Sequence, residues 1–86
     1  MTEQRIVFSD HALSKMEQRG VTESEAREAI RNGERMPAKK DRLCFRRSFA
    51  FDNYWGGKWY AVKQVVPVAV EEQGEIIVVA VYAFYF

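Results

Sequence analysis

The sequence predicts one α+β domain over residues 1–86, of order β-α-α-β-β-β, with two short N-terminal helices packed on a three- to four-stranded antiparallel sheet. Three observations point there. The first third holds two segments with apolar residues at helical spacing, each opened by a capping residue and closed by a glycine. The remainder alternates apolar and polar residues, or runs apolar, at strand spacing. A chain of 86 residues buries roughly 60–65% of its unfolded surface, enough for one thin core and too little for two.

Arg5-Ile6-Val7-Phe8 is β-prone and reads as an edge strand. Ser9 is placed to cap the first helix, with Asp10 in the first turn facing its positive end. Ala12, Leu13 and Met16 recur at helical spacing and are expected to face the core, and Gly20 ends the helix as a left-handed residue. Thr22-Glu23-Ser24-Glu25 is a capping box that opens the second helix. Ala26, Ala29 and Ile30 form its apolar stripe, Glu23 and Arg27 pair at i,i+4, and Asn32-Gly33 closes it. Helices this short are marginal alone and require a sheet to pack on.

The sheet follows a loop at Met36–Lys40, where Pro37 breaks any pattern. From Arg42 to Phe51, Leu43, Phe45, Phe49 and Phe51 share one face, while Cys44, Arg46, Ser48 and Ala50 share the other. Arg47 falls on the apolar face, which signals either a bulge or a deliberately placed arginine. Asp52 to Gly57 reads as a hairpin loop. Trp59 to Val70 reads as a strand that Pro67 bends or splits, and Glu72 to Glu75 as a turn. Ile76 to Phe86 is apolar on both faces, as in a central strand or one that leaves a side for a partner.

Composition narrows the chemistry. The chain is 48% hydrophobic and 29% charged, which fits a folded globule. With Cys44 the single cysteine and His11 the single histidine, neither an intrachain disulfide nor a four-ligand Cys/His zinc site can form, and no cofactor is expected. The N-terminus lacks the layout of a signal peptide, and the apolar run at Ile76–Phe86 is about half the length of a membrane span. A bacterial-type cytoplasmic setting with no membrane contact is the expectation. Net charge is only +1, but residues 1–47 hold 11 of the 13 basic residues against 8 of the 12 acidic ones. The segment Arg31–Arg47, which includes Lys39 and Lys40, is therefore a candidate phosphate-attracting patch, against the plainer reading of a solvated loop and strand face.

Two constellations follow. His11, Lys15 and Arg19, at i, i+4 and i+8, share one helical stripe that can grip a phosphodiester while His11 moves a proton. The competing reading is a solvated histidine in a first turn. Arg46, Arg47, Lys58 and Lys63, with Tyr54, Tyr60, Tyr82 and Tyr85, compose a cationic, aromatic sheet surface of the kind that stacks RNA bases and holds phosphates. Such cations also stabilise charge on phosphorus without a metal. The competing reading is that these rings are core and rim residues of a small sheet. A helix-turn-helix DNA reader is excluded, because the second helix would present Glu23, Glu25 and Glu28 to phosphates. Gly56-Gly57 sits in a hairpin and makes no phosphate loop.

The stretch Phe8–Thr22, with Ser9, His11, Ala12, Lys15, Met16, Arg19, Gly20, Val21 and Thr22 in place, followed by Ala26, Ala29-Ile30 and Asn32-Gly33, resembles the opening of the domain of unknown function 4258 family. That family is similar in layout to small bacterial toxins of the RelE/ParE type. The resemblance implies a metal-independent mRNA endonuclease or RNA-binding domain held inactive by an antitoxin protein. Toxins of that type use varied Arg, Lys, His and Tyr residues on the sheet; in this chain His11, Arg46, Arg47 and Tyr82 are the candidate catalytic residues, and Lys15, Arg19, Lys39, Lys40 and Lys63 the candidate binding residues, by their own chemistry. The alternative is a non-catalytic interaction domain, or a homodimer formed through the apolar C-terminal strand.

Overall fold

In the computed structural model, which describes residues 4–39 and 41–86, the helices begin and end at their capping residues. Helix α1 (Asp10–Arg19) starts with Ser9 Oγ accepting from Ala12 N at 3.1 Å and ends at Gly20, whose φ of 72° is left-handed. Helix α2 (Glu23–Asn32) opens on the reciprocal capping box: Glu25 N donates to Thr22 Oγ1 at 3.1 Å, and Thr22 N donates to Glu25 Oε1 at 3.0 Å. The Glu23–Arg27 pair forms at 3.5 Å. Ala12, Met16, Ala26, Ala29 and Ile30 are buried. Leu13, expected in the core, is instead 38% exposed, because the buried stripe of α1 runs through Ala12 and Met16 and Leu13 lies one step around the helix.

The sheet corrects the expectation in two ways. Among the described residues it has five strands rather than three or four, and it is mixed rather than purely antiparallel, in the order β1-β5-β4-β3-β2. Strand β1 (Arg5–Phe8) pairs parallel with β5 (Glu75–Tyr85), from Arg5 opposite Glu75 to Phe8 opposite Val78. A parallel neighbour needs a long connection, and the rest of the chain supplies it. The extra strand, β2 (Glu34–Met36), lies where a loop was expected to begin and is too short to show a period. Strands β3 (Leu43–Trp55), β4 (Lys58–Glu72) and β5 form an antiparallel meander.

The expected loop at Asp52–Gly57 is mostly strand. A bulge between Ala50 and Asn53, with Asp52 at φ 45°, lets β3 run on to Trp55. The chain then reverses through Gly56-Gly57 alone, whose φ values of 60° and 84° suit a tight hairpin turn. Strand β4 is not split at Pro67. A second bulge beside it, where Val68 faces Ala80 and Ala69 faces Val78, accommodates the residue. Arg47 is in register opposite Val65, so it is a placed arginine and not a bulge.

Both helices cover one face. On that inner face Val65, Pro67 and Ala69 of β4 and Ile76, Val78 and Val81 of β5 meet the helical stripes. The alternate residues, among them Val62, Val66, Val68 and Val70 of β4 and Ile77, Tyr82 and Phe84 of β5, point to the opposite, outer face. Among the described residues no helix is long and apolar enough to cross a membrane.

Candidate functional site

Among the described residues, the basic side chains singled out from sequence are not gathered in one cleft. His11 is exposed in the first turn of α1, and Lys15 is half-buried one turn on. Arg19, at the end of that helix, reaches the edge of β5 beyond the reach of β1. One guanidinium N–H donates to Val81 O at 2.8 Å, and the group lies 4.9 Å from the centre of the Tyr82 ring. Arg46 sits across the central strand β4, on β3, where it pairs with Glu34 of β2. Its sequence neighbour Arg47 points to the other face, bonded to Glu28 at 3.4 Å and to Asn32 O at 3.3 Å, with a buried Nε that has no partner. Lys39 is exposed in the loop, and Lys40 lies outside the described residues.

Lys63 is the clearest departure from a surface role. It is 4% exposed, and its ammonium contacts Glu25 Oε1 at 2.7 Å and Gly20 O beneath the Phe51 ring. This ties β4 to the joint between the helices. The signal was present in the alternation, because Lys63 shares its parity with Val65, Pro67 and Ala69.

A groove of about 510 Å³ lies between α2 and β3, lined by Ser24, Glu25, Arg27, Glu28, Arg31 and Phe49. Its main charges are committed within the chain: Arg27 to Glu23, Glu25 to Lys63 and Glu28 to Arg47. Among the described residues no three His, Cys, Asp or Glu side chains gather to hold a metal.

At the hairpin end of the inner face, Tyr85 is the centre of an aromatic cluster. Trp55 stacks on it at 5.2 Å, Phe51 meets it edge-on at 5.3 Å, and its hydroxyl donates to Arg19 O at 2.7 Å. Burial, and behind it the Glu25 carboxylate, push the Tyr85 phenol above its usual 10.0. The unfolded chain therefore loses this proton first, and the contribution Tyr85 makes below that pH disappears as pH rises through the higher folded value. Stability is expected to decline in alkali beyond about pH 10, more steeply than in Tyr85→Phe, when urea melts are compared across that range.

The feature that sequence reading left undeveloped is the outer face. Tyr82 and Phe84 of β5, with Phe86 continuing their alternation, are 44%, 49% and 62% exposed. Tyr54 and Trp59, directly opposite each other in the hairpin, extend the surface at 67% and 48%, because their neighbour Trp55 turns inward onto Tyr85. Towards the Gln73-Gly74 turn the face becomes aliphatic, with Val68, Val70 and Ile77 half-buried. An antiparallel sheet whose second face meets water ordinarily carries polar residues there. This one carries rings and β-branched chains. Among the described residues its polar groups include Gln64 and Ser48, which contact each other at 3.4 Å, Arg46 and Glu34, which pair at one rim, and Arg19 above Tyr82.

A family model described as Domain of unknown function (DUF4258) matches residues 8–83. No curated protein and no solved structure matches the chain.

Proposed function

Since this chain belongs to the domain of unknown function 4258 family, which assigns no activity, we propose on the strength of its surface that it is a non-catalytic interaction domain, docking protein through the outer face of its sheet. The observation that supports this is the uncovered apolar face itself. Five aromatic side chains, Tyr54 and Trp59 in the hairpin and Tyr82, Phe84 and Phe86 at the end of the chain, are each 44% or more exposed. Contiguous apolar patches of several hundred Å² mark interaction sites more often than they mark plain surface. The dispersal of the basic residues supports it too. Arg46 and Arg47 leave β3 on opposite faces, each in an ion pair, and Lys63 is interior, so no shared phosphate site is assembled from them.

The second reading is the toxin-like, RelE/ParE-like RNA-binding domain. Arg19 above Tyr82 favours it, because an exposed ring beside a cation can stack a base and hold its phosphate. Fluorescence anisotropy with a mixed-sequence single-stranded RNA separates the two. The interaction reading expects no saturable binding, even at low salt. Binding that weakens steeply with salt and is lost in Tyr82→Ala would reverse the order of the two readings.

A further inference from the structure

We infer that the occupant of the outer face is a second copy of this chain, packed sheet against sheet about a two-fold axis that runs across the strands. This rests on the interaction reading above and adds the identity of the partner. Three observations carry it.

The first is charge. At the rim of the face Arg46 pairs with Glu34 and Arg5 with Glu75, the latter at 3.7 Å, while the Arg19 guanidinium lies over the Tyr82 ring. The apolar centre carries no charged side chain among the described residues of β4 and β5 between Val62 and Val70 and between Ile77 and Phe84 that points outward. The centre of such a face offers little to select a strongly acidic or basic partner, and apolar centre against apolar centre brings no like charges together.

The second is area. At the exposures given above, the five rings leave roughly 500 Å² in water, taking about 150–250 Å² for each aromatic side chain. The half-buried valines and Ile77 add to it. That approaches the roughly 800 Å² per partner of a standard stable interface.

The third is shape. Large rings crowd the hairpin end of the face, at Tyr54, Trp59, Phe84 and Phe86, and short aliphatic chains occupy the other, at Val68, Val70 and Ile77. A two-fold axis across the strands lays the ring end of one copy over the aliphatic end of the other, large against small at both ends. Two sheets so packed lie about 10 Å apart, with their strands near 30°.

Sedimentation equilibrium on the full chain, from micromolar to hundreds of micromolar, tests this. The wild type is expected to dimerise. Phe84→Glu, at the ring end, and Val70→Glu, at the aliphatic end, are each expected to weaken the dimer by roughly a thousand-fold, because one substitution appears twice in a two-fold interface. Leu13→Glu, on the exposed side of α1, should leave it unchanged. Circular dichroism verifies the fold, and Val70→Thr replaces Val70→Glu if the latter unfolds, with a smaller loss expected. A monomer throughout overturns the second copy. If that monomer also fails to bind RNA, the interaction reading survives with a different partner; if it binds RNA through Tyr82, both fall. A dimer that resists Phe84→Glu, or that loses affinity only at the ring end, overturns the packing inferred here.

Discussion

Glu25→Ala is expected to cost the fold about 3–4 kcal/mol, while Lys63→Met costs about 1 kcal/mol or less. The two substitutions break the same ion pair from opposite ends. Lys63 has a side chain only 6% exposed, so removing the acid strands an ammonium in the core with the Gly20 carbonyl as its remaining partner. A buried charge left alone in this way costs about 3–5 kcal/mol. The Glu25 side chain is 24% exposed, which lets water reach the site and favours the lower part of that range. Glu25→Ala also deletes the carboxylate half of the capping box on Thr22 N. Lys63→Met, by contrast, leaves an apolar chain under Phe51 and a carboxylate that still accepts from Thr22 N and still meets solvent. Against a total stability of about 4–13 kcal/mol for a domain of this length, the first change is severe and the second mild. Urea unfolding monitored by circular dichroism reads the difference, and equal costs would mean that the pair is not the tether described.

Gly33→Ala is expected to be comparably damaging, by about 3 kcal/mol, for a purely steric reason. Gly33 has φ −81°, which any residue adopts, so backbone strain plays no part. A methyl group there would run into Ala29 O and sit 2.7 Å from Arg46 O. Both atoms are backbone, one in the last turn of α2 and one in β3, and neither can rotate away. The helix end must lift off the strand, an overpacking cost at or above the usual 1–3 kcal/mol. Gly20→Ala makes the useful contrast. It has the unfavourable φ of 72°, but the atoms a methyl group would meet belong to side chains, the Trp55 ring at 2.6 Å and the Tyr85 hydroxyl at 3.0 Å, which yield more readily than backbone. Its cost is expected to be about 1–2 kcal/mol. A melting temperature lowered by about 12 °C or more in Gly33→Ala, and by less in Gly20→Ala, is the expected result; the reverse ranking would contradict the packing at β3.

What the sequence made legible was local. Ser9, Gly20, and the Thr22–Glu25 box specify helix ends through neighbours three residues away, and those contacts form as read. The alternation in Leu43–Phe51 sorted the faces of that strand correctly and carried the clue to Arg47, whereas Lys63, expected on a cationic surface, lies inside. What escaped was set by distant partners. Nothing within Arg5–Phe8 says that it pairs with Glu75–Val78, and three residues at Glu34–Met36 cannot show a period. The bulge at Asp52 hid the true length of β3, because a chain that changes face looks like a loop.

The candidate site was less legible for a related reason. Spacing along a helix identified the stripe of His11, Lys15 and Arg19, but not that Arg19 turns to the β5 edge while Arg46 and Arg47 diverge across the sheet. Charge composition cannot reveal which cations are consumed by carboxylates brought close in the fold. The apolar character of both faces of Ile76–Phe86 was visible from the start; that helices cover only one of them is a property of the whole topology.

The outer face as contact surface is tested most directly by methyl NMR of the full chain across a concentration series. The account expects the Val68, Val70 and Ile77 methyl resonances to shift with concentration while those of the core residues Val65 and Val78 stay fixed. Shifts confined to α1, around Leu13 and its neighbours, or no shifts at any concentration, would contradict it.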